Sequence, residues 1–176
     1  LKFEMEDLAE MMESPALLDR LETTGVLKRD KAWEIGMVGP IARASGLNID
    51  VRKGVRYECY GDLGMNVITQ EKGDVYARTK VRMGEINESL SLIHQCIQSM
   101  EPGETRVRPK AEDGFRCAVV EAPRGELVHC AVIKDGNIWR YNVRDPSFMN
   151  WFGMCHAVPG NVVPDFPLIN KSFGLS

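Results

Sequence analysis

From Val81 onward the apolar residues Val81, Ile86, Leu90, Ile93, Ile97 and Met100 recur at spacings of three to five. That recurrence predicts one long helix from about Asp74 to Met100, with a single apolar stripe along it. Glu101-Pro102-Gly103 stops the helix, and beyond it the period changes. Phe115–Glu121, Glu126–Ile133 and Asn137–Val143 read as strands, and Asp135-Gly136 between the last two is a tight hairpin signal. A chain that commits to a helix of this length and then to consecutive hairpins has few options. The expectation is one α+β domain over residues 1–176, a mainly helical body with a small inserted antiparallel sheet.

The flanking segments are read with the same rules. Met5, Leu8, Ala9 and Met12 fall on one helix face. Ser14-Pro15 suits the start of a second helix running from Ala16 to Thr24 and stopping at Gly25. A third, Asp30 to Ile35, stops at Gly36. Gly36 to Gly73 is rich in glycine and reads as irregular, with extended pieces near Tyr57–Tyr60 and Met65–Thr69. Asp145-Pro146 opens another helix, Ser147 to Ala157, and Pro159, Pro164 and Pro167 predict an extended tail. The chain opens without methionine inside a helical pattern and closes without a stop signal, as a piece of a longer protein would.

Composition narrows the function classes. The formal net charge of -3 and pI near 5.7 give no basic footprint for nucleic acid. No apolar run approaches the roughly 18 residues that span a bilayer, and Leu1 to Glu13 lacks the order of a signal peptide. Cysteines stand at 59, 96, 117, 130 and 155 with no CxxC spacing. A disulfide framework or an internal zinc or iron-sulfur site is therefore not expected, and reduced thiols are.

Three segments carry candidate chemistry. In Gly36-Met-Val-Gly-Pro-Ile-Ala-Arg-Ala-Ser-Gly46, Arg43 sits among small residues. It either reaches a pocket or bonds backbone carbonyls in a turn. In Gly73-Asp-Val-Tyr-Ala-Arg-Thr-Lys-Val-Arg82, Asp74 can cap the long helix and can pair with Arg78, while Arg78 and Arg82 share a face. That face either binds an anion or a partner's carboxylates, or is simply solvated. In Glu121-Ala-Pro-Arg-Gly-Glu-Leu-Val-His129, Pro123 and Gly125 force a turn around Arg124 between two strands. An arginine held on a rigid turn can point into a cavity and orient a polar substrate there; the bland alternative is a hairpin with a core histidine at His129. His94 and His156 receive no role.

Together the three segments, in this order, resemble the large subunits of membrane-bound, energy-converting nickel-iron hydrogenases of the formate hydrogenlyase type. They resemble equally the homologous quinone-pocket subunit of respiratory complex I, the NADH-quinone oxidoreductase. The likeness runs from about Ser14 to the end. It implies a mainly helical hydrogenase-large-subunit-like body with an inserted sheet, of which this chain is the C-terminal part, lacking the upstream half and the extreme C-terminus. It implies an iron-sulfur small subunit and membrane subunits as partners, a cytoplasmic position peripheral to the inner face of the cell membrane, and self-association of the isolated chain. By the resemblance Arg124 hangs over the cavity where hydrogenases hold their metal, His129 stands where some hydrogenases carry a histidine, and Arg43, Asp74, Arg78, Arg82 and Glu121 contribute to the cavity or to partner binding. Hydrogenases place two CxxC pairs near opposite ends of the subunit. The first would lie upstream of Leu1. In the second box Ser176 falls where the first cysteine would be, after Ser172-Phe173-Gly174-Leu175. A hydroxyl is a poor substitute for a bridging thiolate. The expectation is a hydrogenase-like oxidoreductase subunit that has lost its nickel-iron centre, with no metal or cofactor held within this chain. A true nickel-iron hydrogenase and a non-catalytic scaffold that docks the iron-sulfur subunit stay open beside it.

Overall fold

The computed structural model describes residues 2–55, 57–106 and 112–176. Helices α1 (Lys2–Met12), α2 (Pro15–Leu21) and α3 (Arg29–Glu34) lead into two short ones, α4 (Gly39–Ala44) and α5 (Val51–Gly54). The long helix α6 (Val75–Ser99) is followed by strands β1 (Gly114–Ala122), β2 (Gly125–Lys134) and β3 (Asn137–Arg144), then by α7 (Pro146–Ala157) and α8 (Phe166–Phe173). The strands form one antiparallel sheet in the order β1-β2-β3, so the α+β reading holds.

Aspartates cap α5, α6 and α7. Asp74 accepts from the Ala77 N–H at 2.7 Å, Asp50 from the Arg52 N–H at 3.0 Å and Asp145 from the Ser147 N–H at 2.8 Å; each satisfies an amide that has no intrahelical acceptor. Ser14 occupies the cap position of α2, but its hydroxyl makes no capping bond. α2 ends at Leu21, three residues short of the expected Thr24, because Thr23 takes a left-handed φ of 59°.

Four segments differ from the sequence reading, and one is Val51–Gly54, a short helix inside the stretch read as irregular. Gly39–Ala44 is helical, with Pro40 in its first turn. Glu58–Gly61 is a helical turn rather than extended chain. The tail is not extended, since α8 forms with Pro167 in its first turn. Proline disrupts a helix interior but fits the first turn, where its missing N–H would have no partner.

The core gathers Met12, Leu21, Leu27, Met37, Ile41, Val75, Met154, Ile169 and Phe173. It draws on α1, α2, α3 (through Ala32), α4, α7 and α8, and on the first turn of α6. On α1, Leu8 and Ala9 are half-buried and Met12 is buried, while the side chain of Met5 lies outside the described residues. Val81 is the last fully buried member of the α6 stripe; Ile86, Ile93, Ile97 and Met100 are exposed. The sheet projects from the body and is held at its root, where the turn between β1 and β2 lies against the start of α4.

Candidate functional site

That turn is placed by close backbone contact. Gly39 has φ 67°, and a Cβ added there would stand 2.3 Å from the Arg124 carbonyl oxygen and 2.5 Å from the Gly125 Cα. Only glycine admits both the backbone angle and the approach. Asn150 on α7, fully buried, clamps the same junction. Its Oδ1 accepts from the Val38 N–H at 3.1 Å, and its Nδ2 donates to the carbonyls of Val38 and Arg124 at 3.2 and 3.3 Å.

With its backbone fixed, Arg124 extends its side chain to the end of α8, where Nε donates to the Gly174 carbonyl. Arg82 comes to the same place from α6, its Nη2 donating to the Phe173 carbonyl at 3.1 Å. Burial, and the Arg124 charge nearby, lower the Arg82 pKa, with Glu85 opposing them. A cavity of about 710 Å³ opens beside this pair. Arg82, Arg124, Glu85 and Glu121 give it a polar wall, and Ile86 and Ile93 an apolar one.

Behind the polar wall lies a buried ionic cluster. Arg43, 1% exposed, donates Nε to Glu85 at 2.7 Å and Nη1 to Glu121 at 2.8 Å, with Asp50 at 3.3 Å. Its Nη1 also donates to the Ile49 carbonyl at 3.0 Å. Arg52 grips Asp50 through Nε and Nη2 at 2.9 and 2.7 Å. Within this cluster three carboxylates share two guanidiniums. The imbalance falls on Glu121. Burial pushes its carboxyl above the usual range and the Asp50 charge adds to this, outweighing Arg43 and the Val51 N–H. Glu121 also lines a second cavity of about 570 Å³, on the side of Asp50 and Glu126.

The other sequence-selected residues lie elsewhere. Arg78 is fully buried rather than on a solvated face. It donates Nε to Ser172 Oγ at 2.9 Å, Nη1 to the Gly73 carbonyl at 2.7 Å and Nη2 to the Gly25 carbonyl at 3.0 Å, and stacks over Phe173. Burial lowers its pKa, helped by Arg82. The expected Asp74–Arg78 pair does not form, because the Asp74 carboxylate accepts from the Ala77 and Thr23 N–H groups instead. Asp74 and Arg78 thus join α6 to α2 and α8, and neither reaches the cavity. His129 lies along β2, its Nδ1 against the Tyr141 hydroxyl, and lines neither of these cavities. Arg43, Arg82, Glu121 and Arg124 are brought together; Asp74, Arg78 and His129 are not part of that group.

Sequence reasoning missed Asp50, Glu85 and Asn150. Glu85 had a signal, three residues after Arg82 on the same helix. Asn150 had none, since it stands in an apolar stretch and its partners are 26 and 112 residues away.

A nickel-iron centre needs soft thiolate donors. At the Arg124 end of the cavity the chain offers the Gly174 carbonyl, and just beyond it the Ser176 hydroxyl, which sits 3.0 Å from Ser147 Oγ. Among the described residues no cluster of three or more His, Cys, Asp or Glu could hold a metal ion.

A family model described as the 49 kDa subunit of respiratory-chain NADH dehydrogenase matches residues 2–113 and 108–175. A carbon monoxide-induced hydrogenase of Rhodospirillum rubrum is 36% identical over 162 residues, covering 90% of this chain and 45% of that protein. An NADH-quinone oxidoreductase subunit of Chloroherpeton thalassium is 30% identical, covering 86% of this chain and 41% of its own length. A chloroplastic NAD(P)H-quinone oxidoreductase subunit of Mesostigma viride is 34% identical, with 92% and 49% covered. The chain spans somewhat less than half the length of these relatives.

Proposed function

The chain belongs to the family of the 49 kDa subunit of respiratory-chain NADH dehydrogenase, and we propose that it forms the cavity-bearing part of an electron-transfer complex subunit that works without a nickel-iron centre. The observation that carries this reading is the composition of the cavity end at Arg124. Two guanidiniums converge there on backbone carbonyls, and the Ser176 hydroxyl close by is engaged with Ser147. Fixed guanidinium donors on one wall and isoleucines on the other suit an acceptor with an oxygen-bearing head and an apolar body, such as a quinone. Arg124 and Arg82 would hold the head, and Glu121, with its raised carboxyl, could supply a proton at the same wall.

Two other readings have specific marks. A true nickel-iron hydrogenase is favoured by the hydrogenase relative and by arginine at position 124, where the resemblance to complex I often gives lysine. A docking scaffold would be marked by Arg124 paired to Glu121 or Glu126. Glu121 instead pairs with Arg43 and Glu126 with Arg144, and Arg124 has no carboxylate partner among the described residues.

The partners proposed are an iron-sulfur subunit and membrane subunits, with the chain peripheral to the inner face of the membrane. Among the described residues no helix is long and apolar enough to cross a membrane. The test uses full-length protein assembled with its maturation system. Nickel well below stoichiometric is expected, and one nickel per subunit would overturn the reading. In that complex Arg124→Ala should lower turnover on the order of 100-fold, the typical effect of removing one fixed donor, with assembly intact. Undiminished electron transfer would make the arginine a structural strut.

A further inference from the structure

Cys117 on β1 stands directly opposite Cys130 on β2, and their sulfur atoms approach to 2.9 Å. Residues directly opposed in an antiparallel pair have Cα atoms about 4.5–5.5 Å apart. That lies inside the separation of roughly 4.4–6.8 Å that a disulfide bridges without backbone movement. Cys117 is exposed and Cys130 half-buried, so a small reagent can reach the pair. The segment between them contains Glu121 and the Arg124 turn.

We propose that Cys117 and Cys130 form a modification site, a cross-strand dithiol that a small-molecule disulfide of the glutathione class closes to an intramolecular bridge. The Cys117 thiolate attacks one sulfur of the reagent, forms a mixed disulfide and expels one thiol. The Cys130 thiolate then attacks Cys117 Sγ, forms the protein disulfide and expels the second thiol. Both protein thiols give up their hydrogens and the reagent leaves as two reduced thiols. Cys117 is the more exposed of the two and meets the reagent first. The closed bridge brackets the Arg124 turn and fixes the β1–β2 register.

The test incubates the reduced full-length protein with oxidised glutathione, traps remaining thiols with an alkylating reagent and maps peptides by mass spectrometry without reduction. The expected result is one linked peptide pair joining Cys117 to Cys130, two hydrogens lighter than its reduced sum, restored by dithiothreitol. In Cys117→Ser the expected product is a lasting glutathione adduct on Cys130. Wild-type protein alone decides the matter if that variant folds poorly. Glutathione adducts that persist separately on Cys117 and Cys130, alkylation of both after full exposure to the oxidant, or a bridge between other cysteines would each overturn the proposal.

Discussion

Arg43 carries one positive charge and faces three carboxylates, Asp50, Glu85 and Glu121, at 3.3, 2.7 and 2.8 Å. Removing one partner of a buried ion pair typically costs about 3–5 kcal/mol, because it strands the others away from water. Arg43 is therefore a structural hub first, and it acts on the cavity through Glu121. The Glu121 carboxyl is raised above its ordinary value of 4.5 by burial and by Asp50. The folded protein thus binds this proton more tightly than the unfolded chain does. The stability it contributes is full below the ordinary value and is lost as pH rises through the folded value. Glu121→Gln, permanently neutral, removes that loss. Urea midpoints measured upward from about pH 4.5 should fall more steeply with pH for wild type than for the variant; parallel profiles would contradict the raised carboxyl. Arg43 and Glu121 were legible as candidates because each stands in a glycine- or proline-framed motif. Their pairing across 78 residues was not. Nor was the fate of Asp74, whose local spacing pointed to Arg78 until the distant Thr23 N–H claimed its second oxygen.

The elements that sequence revealed are those whose signal is local and repeated. The long helix and the Asp135-Gly136 hairpin follow from periodicity and turn chemistry alone, and β3 extends the expected strand by only one residue, to Arg144. The short helices α4 and α8 were hidden because each begins with a proline in its first turn, and Pro40 among glycines, like Pro167 in a run of prolines, reads as a break. α4 matters most, since its first residue, Gly39, seats the arginine turn. Gly39→Ala must accept both a left-handed φ of 67° and a Cβ 2.3 Å from the Arg124 carbonyl. Gly136→Ala is the matched control, with φ 72° and open space around its Cβ. Gly136→Ala should cost about 1–2 kcal/mol from backbone strain alone. Gly39→Ala should cost clearly more, and in the assembled complex it should also lower turnover by moving Arg124. Equal losses of stability at the two positions would mean that the α4 contact does not hold the turn.

At the scale of the whole molecule, the unusual feature is how much of the α6 stripe is left uncovered. Ile86, Leu90, Ile93, Ile97 and Met100 follow one another at spacings of four and three, the repeat of a helix that packs against another helix along its length. Among the described residues nothing covers the far half of the stripe, where Ile93, Ile97 and Met100 are 55, 64 and 77% exposed. The loop tied to this half of α6, through Gly64 to Gln95 and Asn66 to Glu88 at 2.8 Å each, leaves those three side chains exposed, while Leu92 on the same helix is buried. A contiguous apolar strip of this kind draws molecules together unless charge keeps them apart, and a net charge of -3 over 176 residues repels only weakly. The isolated chain should therefore self-associate through α6 at micromolar concentration. Light scattering should give a mass above the 19.7 kDa of one chain, falling to that value in the double variant Ile93→Glu, Ile97→Glu. Because both positions are already exposed, the variant should keep its helical circular dichroism and lose little stability. A wild-type chain that runs as a monomer, or a variant that stays associated, would place the attraction somewhere other than this stripe.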